Sequence, residues 1–295
     1  MDELVTVIMT TYNSIGVIRR TLDSVISQDY PRIEIVAADG GSGDGTVKVL
    51  SEYEEKLKAD PHCSLKWISE RDNGIYDAMN KALKMASGQI IGICNDLFTQ
   101  NDALSKLVSA MRAEGCLGVH SDLVYSDDGR CVRYWHMGEG EYSPPEKSRN
   151  TDGYRSVYKG WMPAHPTLYL DRQVYEIYGR YDISYRSSAD YEFMLRILAP
   201  GARYRQMLQS SSGTDIQEVP AVKLAYVPEV LISMYYGGTS NGGLRGYFRN
   251  AAEACRALEK NGIRRAPLVI FLRILQTVKQ YIDAKRINET VQAGK

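Results

Sequence analysis

Apolar positions in the first hundred residues keep two spacings in turn. Val5–Met9 is a short β-branched run that breaks into polar Thr10-Thr11-Tyr12-Asn13-Ser14. Ile15, Ile18, Leu22, Val25 and Ile26 then recur at helical spacing, with Asn13 or Ser14 expected as the N-cap. Ile33–Ala37 is a second apolar run and leads into the turn-rich DGGSGDGT. A helix is expected over 45–58 and a third strand over Leu65–Ile68. RDNG then opens a third helical stripe of Ile75, Met79, Ala82, Leu83 and Ala86. Gln89–Cys94 reads as the fourth strand and Asn101–Arg112 as the next helix. Strands apolar on both faces and separated by helices predict a Rossmann-like α/β domain with a parallel sheet. Ligands of such sheets bind beyond the carboxyl ends of the strands. That rule alone gathers TTYN, DGGSGDGT, RDNGIYD and CNDLF around one crevice.

The later chain is less regular. Leu117–Tyr125 and Val132–His136 read as strands, Gln173–Tyr178 as a short helix, and SADYEFMLRIL as a helix with Tyr191, Leu195 and Leu198 on one face. Leu224–Tyr235 reads as a late strand, and from Gly246 the pattern is helical, broken at Gly262 and Pro267. The expected division is a domain over 1–240 and a helical C-terminal extension over 241–295.

The 36 basic and 36 acidic residues cancel, which leaves no electrostatic footprint for nucleic acid. Five cysteines form no CxxC pair, so a disulfide framework or structural zinc is not expected and a reducing, cytoplasmic setting is. The N-terminus MDELVTVIMTTYN carries acids where a signal peptide carries lysines. No apolar run reaches the roughly 18–20 residues of a spanning helix.

Polar strand ends carry the candidate chemistry. Thr11 can bond a nucleotide and Tyr12 can stack on a base, or this segment merely caps a helix. Asp39 can accept from a ribose hydroxyl or a base N–H, while the following glycines expose backbone N–H groups. The loop matches neither GxGxxG nor GxxxxGK[ST], which argues against hydride and ATP chemistry. Asp72 or Asn73 can cap the third helix, Asp77 suits its dipole or a site role equally, and Arg71 is a candidate for a diphosphate. Asp96 leaves a buried strand toward the crevice, where a Mg²⁺ or Mn²⁺ bridging two phosphates takes one or two carboxylates. His165, in the stiff Pro163-Ala164-His165-Pro166, is either an acceptor-site donor or a packed histidine. His62, His120 and His136 share no ligand spacing and read as structural or surface groups.

In their order, TTYN, DGGSGDGT, RDNGIYDAMNKAL, SGQIIGICND, HPTLYL, SADYEFMLR and GGTS resemble a family 2 glycosyltransferase of GT-A fold over residues 4–240. The resemblance implies a mostly parallel mixed sheet flanked by helices and an inverting transfer from a nucleoside-diphosphate sugar to a saccharide or lipid-linked saccharide. It implies that Thr11, Tyr12 and Asp39 hold the nucleoside, with Asn13, Asp72 and Asn95 at the same donor site. It also implies that the strand-four acid binds the divalent metal and that Asp190 is the general base. One departure stands out: the family's metal motif is usually Asp-x-Asp, and here Asn95, Asp96 and apolar Leu97 occupy its three places, which leaves Asp96 as the expected metal ligand. Glu192 is the alternative base, although it lies about 200° around the helix from Asp190. A nucleotidyltransferase or a binding protein with weakened catalysis are the other readings; the first lacks a glycine- and lysine-bearing loop after strand one.

In the tail, Leu268, Phe271, Leu275, Val278 and Ile282 form an apolar stripe beside Arg273, Lys279, Lys285 and Arg286. The segment 264–286 suits a helix on the anionic inner face of a membrane, a homodimer contact, or packing on its own domain.

Overall fold

The computed structural model describes residues 2–127, 129–144, 153–200, 221–236 and 243–293. β1 (Val5–Thr11), β2 (Ile33–Asp39), β3 (Cys63–Ser69) and β4 (Ile90–Ile93) are parallel, and α1 (Ile18–Ile26), α2 (Thr46–Leu57) and α3 (Ile75–Met85) connect them. The continuous apolar runs have their cause here, because β1 feeds a core on each face of the sheet. Val5, Val7 and Met9 pack with Leu22, Val25, Val49 and Leu50, and Ile8 packs opposite with Met79, Ala82 and Phe193.

Beyond β4 the sheet becomes mixed. It runs β3-β2-β1-β4-β10-β6-β11-β5, with β7 on β6. β5 is Leu97–Phe98, β6 Gly118–Asp127, β7 Arg130–Trp135, β10 Tyr169–Asp171 and β11 Leu224–Tyr235. A separate small hairpin pairs β8 (Tyr142–Ser143) with β9 (Gly153–Tyr154). The short β10 lies antiparallel between β4 and β6. Gly92 makes room for it, since a Cβ there would come 2.3 Å from the Tyr169 ring. The remaining helices are α4 (Ala103–Ala113), α5 (Arg172–Tyr178), α6 (Ala189–Leu198), α7 (Gly243–Lys260) and α8 (Ala266–Ala293). The segment GGTS and the expected boundary at 240 fall outside the described residues.

Four local expectations change. α1 begins after Val17, and neither Asn13 nor Ser14 caps it with a side chain. Asn13 instead reaches the glycine-rich loop: Gly43 N–H donates to its Oδ1 at 3.0 Å, while its own N–H donates to Ser42 Oγ at 2.7 Å. α6 is buried all round rather than along one stripe, and Asp190 is its one residue that is not buried. The apolar stripe of α8 does not face its own domain; Leu268, Phe271, Leu275, Val278 and Ile282 are exposed.

Candidate active site

The parallel strands end side by side, so their loops meet. Asp39 is 2% exposed, and its carboxylate accepts from Gly41 N–H, Ser42 N–H, Ser42 Oγ and Ser69 Oγ. The acid at the end of β2 therefore shapes the glycine-rich loop and ties it to β3. Beside it, across the β1–β2 ladder, Thr11 Oγ1 is buried with no hydrogen-bond partner. A buried hydroxyl in that condition costs free energy unless a ligand or water satisfies it. Tyr12 stands 65% exposed at the rim. Its ring and the Asp72 carboxylate converge on Gly40, where a Cβ would lie 3.3 Å from Tyr12 Cδ2 and 2.6 Å from Asp72 Oδ2. Asp72 Oδ1 also accepts from Gly74 N–H at 2.9 Å. Neither Asp72 nor Asn73 caps α3 with its side chain. Asp77, in the first turn of α3, holds the loop before it instead, accepting from the Asn73 backbone N–H at 3.0 Å and its side-chain amide at 3.2 Å. Arg71 is exposed and is engaged through its carbonyl by Lys81.

Asn95 and Asp96 at the end of β4 have separate roles. Both ends of the Asn95 amide are committed to β1: Oδ1 accepts from Thr10 N–H at 2.7 Å and Nδ2 donates to Thr10 Oγ1 at 2.9 Å. This staple holds the end of β4 to β1. Asp96 is different. Among the described residues no donor or cation pairs with it, and burial pushes its carboxyl up to about 7. Leu97 is apolar because the chain turns at once into β5, where Leu97 pairs with Ser233 and Phe98 enters the core.

A divalent ion fits Asp96, because a half-buried carboxylate with no counter-charge among the described residues is a suitable hard oxygen ligand. Among the described residues no three His, Cys, Asp or Glu side chains cluster to hold an ion unaided. Asp96 would thus be the protein's share of the coordination shell, with diphosphate oxygens and water completing it.

The third wall comes from α6. Tyr76 of α3 donates to Asp190 Oδ1 at 2.8 Å, and its ring stacks on Tyr181 at 6.0 Å. His165 Nε2 lies 2.8 Å from Tyr181 Oη. Burial lowers the His165 imidazole, and the charge of Asp190 opposes that shift. The buried Tyr125 hydroxyl of β6 is raised chiefly by burial, and Asp96 and Asp190 both push it the same way. Glu192 is excluded from this wall: it is 0% exposed and joined to Arg196 at 2.7 Å and Lys260 at 3.1 Å. It fastens α6 to α7.

Sequence reasoning missed several neighbours. Arg133 of β7 lies among the rings of Tyr125, Trp135 and Tyr281, and its Nε donates to Gln280 Oε1 at 2.6 Å. Burial lowers its guanidinium, with Arg273 adding to the shift. Arg273 sits 3.9 Å over Tyr191, the residue after Asp190. Tyr76 was within reach of the strand-end rule, since it follows the RDNG loop directly. Arg133 carried no local signal. His120, held down to about 4 by burial, and His136, bonded to Asp122 at 2.8 Å, are the structural groups expected.

A GT-A-type mixed sheet with acids converging at the strand ends defines the class: a nucleotide-sugar-dependent glycosyltransferase. The profile of "Glycosyl transferase family 2" matches residues 6–175, and the chain belongs to that family. It is 30% identical over 198 residues to an uncharacterized glycosyltransferase of Mycobacterium tuberculosis, covering 65% of this chain and 68% of the relative. It is 28% identical over 213 residues to a PGL/p-HBAD biosynthesis glycosyltransferase of Mycobacterium bovis, covering 70% and 75%. Among solved structures, the mannosyltransferase PcManGT of Pyrobaculum calidifontis, in complex with GDP-Man and Mn²⁺, superposes with a TM-score of 0.59 at 18% identity, over 98% of this chain and 76% of that one. Residues 1–349 of S. aureus TarS in complex with UDP-GlcNAc superpose at 0.55 and 13% identity, covering 99% and 92%. A longer TarS chain is spanned to 43% of its length.

Proposed function

We propose that this enzyme moves a sugar from a nucleoside-diphosphate sugar to a hydroxyl of a saccharide or lipid-linked saccharide by a single inverting displacement. The acceptor oxygen attacks the anomeric carbon as the bond to the diphosphate breaks. The hydroxyl proton passes to the Asp190 carboxylate, and the diphosphate leaves with the bonding electrons. Tyr76 fixes the orientation of Asp190 and leaves its second oxygen to face the acceptor. Thr11 and Tyr12 hold the nucleoside end of the donor beside the loop that Asp39 shapes, with Asp72 at its rim. Asp96 faces the diphosphate, where a bound Mg²⁺ or Mn²⁺ neutralises charge on the leaving group. His165, tied to Tyr181 beside Asp190, lines the acceptor side.

The observation that best supports this reading is the 2.8 Å hydrogen bond from Tyr76, on the helix that follows the RDNG loop, to Asp190 Oδ1, which ties the α6 acid to the strand-end loops. Separated acids are what this chemistry needs. The test is transfer or hydrolysis from a panel of UDP-, GDP- and dTDP-sugars with Mn²⁺. Turnover that Asp190→Asn reduces by about 10²–10⁴ supports the reading; a full rate in that variant overturns it.

A further inference from the structure

α8 wears its faces the opposite way round from an ordinary surface helix. Toward the domain it turns Val269, Arg273, Gln276, Thr277, Gln280 and Ala284. These residues make specific contacts: Gln276 Nε2 donates to the Lys159 carbonyl at 3.1 Å, Gln280 accepts from Arg133, and Arg273 covers Tyr191. Away from the domain it turns Leu268, Phe271, Leu275, Val278 and Ile282, each between 47% and 54% exposed. Eight of the sixteen large hydrophobic side chains exposed among the described residues lie on this one helix. A helix on a globular domain normally buries its apolar stripe. Here the domain already occupies the other face, so the stripe is left for an outside partner.

Charge identifies that partner. Arg264 and Arg265 precede the stripe, Lys279 flanks it, and Lys285 and Arg286 lie just past Ile282. Among the described residues no carboxylate pairs with Arg264, Arg265 or Lys279; the Lys285–Glu289 pair is wide at 3.9 Å, and Arg286 reaches Asp283 at 3.8 Å. A two-fold contact with a second copy brings one patch against itself and sets these cations against each other. An anionic bilayer takes the apolar side chains at its acyl boundary and the cations at its headgroups. No helix among the described residues is long and apolar enough to cross a membrane, so contact of this kind lies along the surface.

We infer that α8 is a bilayer-docking helix that rests its outward face on an anionic lipid surface. Its inward face holds Arg133 and Arg273 against the crevice wall, so docking sets the crevice at headgroup level. The inference deepens the acceptor assignment by naming where acceptor is met, but its basis is the two faces of α8, independent of the base and metal assignments.

The test is flotation of the full chain with phosphatidylcholine vesicles, with and without phosphatidylglycerol. Wild-type protein is expected to float with the anionic vesicles and to be released by salt. The exposed triple variant Phe271→Ser, Val278→Ser, Ile282→Ser is expected to bind at least about tenfold more weakly, and Lys279→Glu with Lys285→Glu to lose the preference for anionic lipid. Three results overturn the inference: no flotation of wild type, equal flotation of the variants, or a solution dimer that the triple variant dissociates. Thermal shift with nucleoside diphosphates and Mn²⁺ on the same proteins separates the two readings, because loss of flotation with an intact nucleotide shift leaves the catalytic proposal standing.

Discussion

Tyr76 Oη donates a 2.8 Å hydrogen bond to Asp190 Oδ1 across 114 residues of sequence. It links the helix after the third polar loop to the first turn of α6 and fixes the direction of that carboxylate. Tyr76→Phe keeps the ring stacked on Tyr181 and removes only the donor. We expect kcat to fall about tenfold with donor KM within about twofold of wild type. Steady-state kinetics check this; equal effects on both constants would assign Tyr76 to donor binding instead.

Asp96 gives a pH dependence with a definite sign. Its carboxyl is raised to about 7 by burial, and a metal binds only the ionised form. Apparent Mn²⁺ affinity in the presence of nucleoside diphosphate should therefore increase about tenfold between about pH 6 and pH 8. Calorimetric titration checks it, and a flat profile would remove Asp96 as the ligand. Without metal, the folded state holds this proton more tightly than the unfolded state between the ordinary carboxyl range and about 7. The contribution of Asp96 to stability therefore declines as pH rises through that window. Added Mn²⁺ should restore the loss.

Thr11→Val is predicted to move stability and binding in opposite directions. It removes a buried hydroxyl without a partner, so unfolding free energy should stay level or rise by up to about 1 kcal/mol. If that hydroxyl serves the nucleoside, donor affinity should drop about fivefold to tenfold. Chemical denaturation and nucleotide titration on one preparation decide it.

Glu192→Gln should behave as a stability variant. It leaves Arg196 and Lys260 without the carboxylate they share, at a cost of about 3 kcal/mol. Turnover per folded molecule should be retained, measured below the lowered melting temperature. Abolished turnover in a folded protein would return Glu192 to the list of bases.

The first half of the fold was legible because β1 to β4 are local βα units whose apolar runs follow one simple period. β10 was not, since three residues inserted antiparallel between β4 and β6 give no periodic signal. For the site, strand-end position marked Asp39, Asp96 and Tyr12 as chemistry-bearing, but residue type could not say which acid is fully engaged. Among the described residues Asp39 has four donors and Asp96 has none. The staple that Asn95 makes was not legible, because its partner Thr10 lies 85 residues earlier. Arg133 and Arg273 reach the crevice wall only through the pairing of β7 and the lie of α8, long-range relations that local spacing does not encode.

β10 also dictates an order of assembly. The strand between β4 and β6 is made of residues 169–171, so a nascent chain that has already released β6 from the ribosome cannot yet join it to β4. Until Tyr169 emerges, β4 presents an unpaired edge, a template for wrong neighbours. Fragments ending before that point should associate in solution, and those ending beyond β11 should not.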